Sequence, residues 1–319
     1  MISAWKECAT PTGFRYRKWI PAEMPRIPDD YADSIVYLYQ SAADVEKNNA
    51  DGCGMLAGVA FKDNPNRAHV YLVSASHVAE NCRVARYNTL HGPRAVDLTA
   101  SRWLQHREGA DISVFPLESS AYFDERMTMI RSTSFMTQKR MGKIPLRHGD
   151  ELFMVSHFAS HPGDADNEPI IRFGTLTKRY PVRVAVENAQ DQESFLAEMI
   201  SVPGHSGSPV FVYFHGTQAR LGTDMQVPKP GIYLLGLHAG CYLERQPVRK
   251  PDGEAVASEL YVNSNSGIAY VIPAWKAAEI LNYGELKRAR RQAEHVLTRS
   301  HPRAFPATQH RRSSEGRPG

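Results

Sequence analysis

The segment Val202-Pro-Gly-His-Ser-Gly-Ser-Pro-Val210 holds the residues best suited to nucleophilic chemistry. A serine hydroxyl is a poor nucleophile. It needs a sharply turned backbone that exposes it, amide N–H groups aimed at a developing oxyanion, and a base to take its proton. Gly204 and Gly207 flank Ser206 and permit the turn. The backbone amides of Gly204 and Ser206 are the natural oxyanion donors, because neither position needs a side chain for that task. The structural alternative is a plain Gly-Ser-Pro turn between two strands, since apolar runs at 195–200 and 209–214 lie on either side.

The base is expected on a separate element. Tyr71-Leu-Val-Ser-Ala-Ser-His-Val78 supplies one, with an apolar strand delivering small residues and then His77. The chain has 13 histidines, so context and not residue type singles this one out. An acid must hold the imidazole in one tautomer and stabilise the imidazolium. Asp111, in Gly109-Ala-Asp-Ile-Ser-Val-Phe-Pro116, opens an apolar strand and so belongs at the rim of a core. Asp97 is the weaker rival in more polar surroundings, and a turn-capping role is the alternative for Asp111.

These residues need elements to place them. From residue 34 onward the chain shows short runs rich in Val, Ile, Tyr and Phe, at 35–40, 55–61, 69–74, 112–117, 152–156, 170–176, 182–187, 195–200, 209–214, 232–237 and 267–272. Gly, Pro, Asn and Asp clusters separate them, which predicts an all-β protein. A helix is expected at 274–281 after Pro273, with Trp275, Ala278 and Leu281 on one side, extending into the charged stretch 285–297. The organisation read from these changes is an N-terminal extension at 1–33, a first set of strands at 34–137, a turn-rich linker at 138–148, a second set with its closing helix at 149–283, and a basic mobile tail at 284–319.

With 319 residues, 42 % hydrophobic and 23 % charged, the chain is ordinary for a globular protein. No apolar run approaches the roughly 20 residues of a membrane helix. No continuous apolar segment near the N-terminus suggests a signal peptide, so a cytoplasmic location is the default, with secretion by another route left open. Residues 286–319 contain nine Lys or Arg and two acids, a charge of +7, which leaves −3 on residues 1–285 of the net +4. The basic character belongs to the tail, and a solvated terminus explains it better than a specific nucleic-acid or lipid partner. Four cysteines are too few for a disulfide scaffold. Reduced thiols are preferred over a Cys53–Cys82 bridge.

In order and context, His77, Asp111 and Ser206 resemble the triad of the chymotrypsin-like serine peptidases. The resemblance extends to Gly52-Cys-Gly-Met-Leu-Ala-Gly58, Gly149-Asp-Glu-Leu-Phe-Met-Val-Ser156, Phe173-Gly-Thr-Leu176, Leu234-Leu-Gly-Leu-His-Ala-Gly240 and Gly267-Ile-Ala-Tyr-Val-Ile-Pro273, over roughly residues 34–282. It implies two six-stranded antiparallel β-barrels, with the site in the cleft between them, and a C-terminal helix and tail. It implies a serine endopeptidase acting on protein or peptide substrates without a cofactor. His205 stands where digestive relatives have an aspartate, which argues against activation by zymogen cleavage. The motif looks closer to bacterial and viral branches, glutamyl endopeptidases in particular. That likeness implies substrate-binding roles for Ser201, His238 and Gly240 and a preference for Glu or Gln before the scissile bond, through hydrogen bonds from His238 and Ser201. A strand histidine with no ligand is the alternative for His238.

The rival function is a two-barrel peptide-binding protein that is catalytically silent or processes only itself. His157 and His161 have a spacing that suits a metal on a helix, but Pro162 makes a loop the better reading and no acid partner is evident, so no metal site is expected. No Gly-Lys-Ser/Thr follows the 204–209 glycines, which excludes a phosphate loop. Oligomeric state has no signature in the sequence.

Overall fold

The computed structural model describes residues 4–9, 15–20 and 27–300 apart from 66, 90, 100, 118–127, 159–160, 162, 164–165, 186–190, 215–230, 255 and 258–259, with backbone alone at 4–9, 15–20 and 298–300. The predicted mobile tail beyond 300 and much of the N-terminal extension lie outside the described residues. Residues 1–281 form one compact unit and 282–319 a second.

An antiparallel pair, β1 (Ala4–Ala9) and β2 (Arg15–Ile20), forms a sheet of its own. A short helix α1 (Asp29–Asp33) leads into β3 (Ile35–Tyr39), α2 (Ala42–Glu46), β4 (Gly52–Ala60), β5 (Ala68–Ser74) and the single-turn helix α3 (Ser76–Ala79). Then come β6 (Val84–Thr89), β7 (Gly92–Asp97), β8 (Leu104–Gln105), β9 (Ser113–Pro116) and β10 (Ile130–Arg131). After α4 (Gln138–Met141) follow β11 (Glu151–Ser156), β12 (Ile170–Leu176), β13 (Val182–Val184), β14 (Gln192–Glu198), β15 (Pro209–Phe214), β16 (Gly231–Pro247), β17 (Tyr261–Pro273) and α5 (Ala274–Leu281). The second unit contributes α6 (Gly284–Ser300).

The expectation of two six-stranded barrels is corrected. The later strands do close: β12, β11, β15, β16, β17 and β14 pair in sequence, and β12 pairs back with β14 through Thr175 and Leu176, with β13 added outside on β14. The earlier strands form an open eight-stranded sheet in the order β7-β6-β3-β4-β5-β9-β8, with β10 parallel to β4. Among the described residues its ends, β7 and β8, do not pair. The two-residue β8 offers too few backbone groups to close a ring.

Each sheet has its own core. The first buries Val36, Leu38, Leu56, Leu72 and Phe115, and the second Leu152, Phe195, Val210, Val212 and Val271. Tyr31 of α1 sets its ring edge-on to the stacked pair Phe153 and Phe211. β3 is buried at all five positions because both its faces are covered, Val36 and Leu38 by the first core and Tyr37 by His157, which is why it reads as an unbroken apolar run. The strands missed in the sequence are β1, β2, β6, β7, β8 and β10. Val-Ala-Arg-Tyr-Asn-Thr has no apolar alternation and Gly-Pro-Arg-Ala-Val-Asp little strand propensity, and they form strands by pairing with β3 and with each other. In α5 the buried face is Ala274, Trp275, Ala277, Ile280 and Leu281, so Ala277 takes the inward place expected for Ala278. Among the described residues, no helix is long and apolar enough to cross a membrane.

Candidate active site

β5 ends at Ser74, and the chain turns at once into α3, which carries His77 at its second position. Asp111 lies two residues before β9, the antiparallel neighbour of β5, so adjacent strands deliver both groups to one end of the sheet. The Asp111 carboxylate holds His77 twice. Oδ1 accepts the backbone amide at 3.0 Å, and Oδ2 lies 2.7 Å from ring Nδ1. With Nδ1 as donor, Nε2 is left as the basic nitrogen. Burial acts to lower the His77 pKa, but the Asp111 hydrogen bond and charge, with Glu80, outweigh it and leave it above the ordinary 6.5. Asp97 plays no part here. Its carboxylate accepts the Thr99 amide at 2.7 Å on the far side of the sheet order.

Asp111 is itself clamped from β14. Its amide donates to Gln192 Oε1 at 2.9 Å, and Gln192 Nε2 donates to the Gly109 carbonyl at 3.1 Å. Gln192 is buried and has no signature in the sequence that marks it as a support for the acid.

Two successive turns shape the segment before β15. The His205 amide donates to the Val202 carbonyl at 3.2 Å, and Ser208 to His205 at 3.0 Å. The third residue of each turn is a glycine in the left-handed region, Gly204 at φ +89 and Gly207 at φ +82. Ser206 sits between them, half-buried. Among the described residues, the Gly204 and Ser206 amides donate to no protein acceptor. Ser206 Oγ likewise makes no hydrogen bond to His77 among the described residues.

The turns are tied to the first sheet. The Cys53 amide donates to the Ser206 carbonyl at 2.8 Å, and Cys53 Sγ accepts the His157 amide at 3.3 Å and reaches the Gly204 carbonyl at 3.5 Å. A Cβ on Gly52 would lie 2.8 Å from Val78 Cγ1 and 3.1 Å from the Ser206 carbonyl oxygen, so Ser206 and the turn bearing His77 flank the same point of β4. Cys53, Cys82 and Cys241 are free thiols. Burial raises the Cys53 pKa and pushes that of Cys82 up to about 12, as befits packed, unreactive groups.

Gly207 is the least replaceable residue here. A Cβ would meet the Cys53 carbonyl oxygen at 2.0 Å and Ser74 Oγ at 2.5 Å, on a backbone that already disfavours L side chains. Left-handed strain and overpacking together should make Gly207→Ala cost about 3 kcal/mol. Urea denaturation checks this, and an unchanged midpoint would mean the turn relaxes freely.

Beside Ser206 opens a cavity of about 700 Å³, lined in part by Ser201, His238, Gly240, Cys241 and Asn265. The three residues expected to bind substrate therefore meet Ser206 around one hollow. Asn265 Nδ2 donates to the Ser201 carbonyl, and a Cβ at Gly240 would lie 2.2 Å from the Tyr270 hydroxyl, so a side chain there would displace that ring. Ile200, Val202 and Leu243 at its margin are exposed.

Three histidines lie beneath this surface. His157, His205 and His238 are 2 %, 0 % and 1 % exposed. The His205 and His238 rings meet edge to face at 6.2 Å, and His157 Nδ1 lies 3.5 Å from a Cβ position on Gly204. Both ring nitrogens of His157 and His238, and Nε2 of His205, are buried without a hydrogen-bond partner. Burial first, and neighbouring cationic groups second, lower their pKa values to about 4, 4 and 3. No group of three or more His, Cys, Asp or Glu among the described residues is arranged to hold a metal. His161 instead stacks on Phe158.

No family model matches the chain, and a search of curated proteins returns no match. Solved structures do show similarity. The inactive form of the protease Rv3671c is 10 % identical, covering 79 % of this chain and 88 % of its own, with a TM-score of 0.42. Deg5 is 12 % identical over 78 % and 87 %, with a TM-score of 0.42. The HtrA-type protease AlgW with a tripeptide is 13 % identical over 81 % and 62 %, with a TM-score of 0.43. The reading of the site rests on this chain's own residues.

Proposed function

We propose that the protein is a serine endopeptidase in which Ser206 attacks a peptide carbonyl, His77 takes its proton, and Asp111 orients the imidazole. The observation that carries this is the double hold of Asp111 on His77, with a glycine-flanked serine tied to the neighbouring strand of the same sheet. A merely structural aspartate has no need to fix the ring and its backbone together.

The chemistry is acyl transfer to water. As Ser206 Oγ bonds to the carbonyl carbon, its proton passes to His77 Nε2. The unbonded amides of Gly204 and Ser206 receive the oxyanion. His77 then gives its proton to the leaving amine, and water repeats the sequence on the acyl-enzyme. Side chains of residues around the scissile bond meet the cavity beside Ser206 and its apolar margin of Ile200, Val202 and Leu243. Within it, Ser201, His238 and Gly240 would receive the residue before the bond, and the unpartnered ring of His238 supports a preference for a polar glutamyl or glutaminyl side chain.

A fluorophosphonate probe tests the activated serine, and hydrolysis of a mixed peptide library tests endopeptidase activity. Absence of both in folded protein sinks the proposal. One observation favours a second reading, a catalytically silent or self-processing peptide binder: Ser206 Oγ makes no hydrogen bond to His77. Such bonds are often long without substrate and tighten on binding. Turnover of added peptide separates the two.

Asp111→Asn should lower kcat by about 10⁴-fold with a smaller effect on KM, because an amide can present its NH₂ to Nδ1 and favour the wrong tautomer. The rate of the unaltered enzyme should fall as pH drops through the raised His77 pKa, since the base must be neutral. Loss of the carboxylate should move that fall to lower pH. An Asp111→Asn enzyme with an unchanged pH–rate profile would remove Asp111 from this role.

A further inference from the structure

A second hollow, of about 520 Å³, shares no lining residue with the cavity beside Ser206. Its size falls within the roughly 300–1,000 Å³ of ligand cavities. We propose that it is a docking site for an acidic peptide segment, which seats one apolar side chain in the hollow and sets its carboxylates on the cations around it. The site is independent of the chemistry assigned to Ser206.

Three separate stretches of chain build the hollow. α4 and the loop after it bring Met141, Pro145 and Leu146, the turn between β12 and β13 brings Tyr180 and Pro181, and α5 brings Trp275. Leu146 and Trp275 are buried in the second core and Met141 packs against it, so the floor is apolar and firmly held. Trp275 Nε1 is buried with no acceptor in the protein, a donor left over in the wall of a cavity.

The rim is cationic. Residues 138–148 hold Lys139, Arg140, Lys143 and Arg147 and no acid, and residues 177–183 hold Lys178, Arg179 and Arg183 and no acid. These two stretches frame the hollow, on a body that carries −3 over residues 1–285. Some of the cations are engaged. Arg140 lies over the Tyr233 ring at 4.8 Å, and Arg183 acts on the Glu108 carboxylate. Lys139, Lys143, Lys178 and Arg179 are exposed and form no ion pair among the described residues. Among those residues Glu193 is the one carboxylate in the wall, and it lies 3.5 Å from Lys276 Nζ, so its charge is already answered. Asp150 turns to its own loop, where it accepts the Arg147 amide at 2.7 Å. Like charges gathered at one rim repel each other and attract an anionic partner.

An apolar hollow inside such a rim fits a side chain anchored among carboxylates. Nucleic acid fits it less well. Trp275 shows too little of its ring for a base to stack on, and Arg179 already covers one face of Tyr180 at 4.7 Å, so aromatic platforms are scarce. The basic stretch 286–319 would be repelled by the rim and is excluded as its occupant.

Fluorescein-labelled Asp-Glu-Asp-Phe-Glu-Asp-Glu, titrated with the full chain carrying Ser206→Ala, tests this. Its anisotropy should rise to saturation. Raising the salt from about 50 to about 500 mM should weaken binding about 10-fold or more. Replacing the Phe of the peptide by Ser should weaken it by a similar factor, about 10-fold or more, because the anchor is lost. Lys143→Glu combined with Arg179→Glu should weaken it about 30-fold with an unchanged urea midpoint, since both side chains are exposed. No saturable binding, equal affinity for the Ser peptide, or undiminished affinity in the double variant overturns the inference. So does displacement of the probe by single-stranded DNA or by phosphatidylserine vesicles at lower concentration than by the unlabelled peptide. A protein that binds the peptide and yet resists the fluorophosphonate in its unaltered form counts against the proposed function and leaves this site standing.

Discussion

Ser206→Ala is expected to abolish labelling by a fluorophosphonate and to lower kcat for peptide hydrolysis by about 10⁵-fold or more, with KM little changed. The hydroxyl is the only group in the turn from Val202 to Ser208 that is poised beside two unbonded amides and close to the turn bearing His77. Alanine removes the bond-forming atom and leaves the backbone alone. The turns are held by main-chain hydrogen bonds and by glycines, so folding should be unaffected, and circular dichroism and the urea midpoint should match the parent. Residual hydrolysis near one per cent of the parent would be too high for loss of the nucleophile. It would move the chemistry to another group. Ser208 is not a ready substitute, because its hydroxyl is buried on Ser156 at 2.8 Å.

Acid should unfold this protein unusually early. His157, His205 and His238 have native pKa values near 4, 4 and 3 against about 6.5 in the unfolded chain. Their folded pKa values are depressed, so below pH 6.5 the unfolded state binds protons that the native state refuses, and stability falls as pH falls. Each such group costs about 1.4 kcal/mol per pH unit in that window, so three together cost about 4 kcal/mol per unit well below pH 6.5. His77, with its raised pKa, acts the other way but is a single, partly exposed group. Against a total stability of about 5–15 kcal/mol, the three buried rings should bring unfolding near pH 5. Urea midpoints measured from pH 8 to pH 5 check this. His205→Gln should make the decline shallower by about a third, and a flat profile in the unaltered protein would show that the rings gain protons or water in the native state.

The residues proposed as reactive stood out in the sequence because such chemistry constrains the neighbours it needs. A nucleophilic serine needs flanking glycines, and Gly204 and Gly207 do adopt the left-handed backbone that only glycine takes without strain. An apolar strand that ends in small residues and a histidine led to β5 and α3, and most of the long apolar runs became strands within a few residues of their predicted limits. The strands that went unseen, such as β7 with Gly92 and Pro93, lack any apolar alternation, because their conformation comes from a neighbour's backbone.

The supports of the site were silent for a related reason. Gln192 reaches Asp111 across 81 residues of chain, and Cys53 joins His157 across 104. A hydrogen bond between remote positions leaves no period, spacing or propensity in either segment. The same applies to the three buried histidines. Each looks like any other of the 13 until strands from different parts of the chain bring their rings together.

What the sequence supplied was local: the serine, histidine and aspartate proposed as the reactive group, the glycines that bend the turn, and the strands around them. Closure belonged to the folded chain. Whether a set of strands becomes a ring depends on register and on the length of its terminal strands, and β12 meets β14 through two residues while the two-residue β8 meets nothing beyond β9. So did the charge state of the pocket. The composition shows a basic chain, but only packing shows that, among the described residues, no Lys or Arg lines the cavity beside Ser206 and that burial lowers the pKa of the histidine lining it to about 3. Both are sums over contacts between distant segments, and no stretch of sequence contains them.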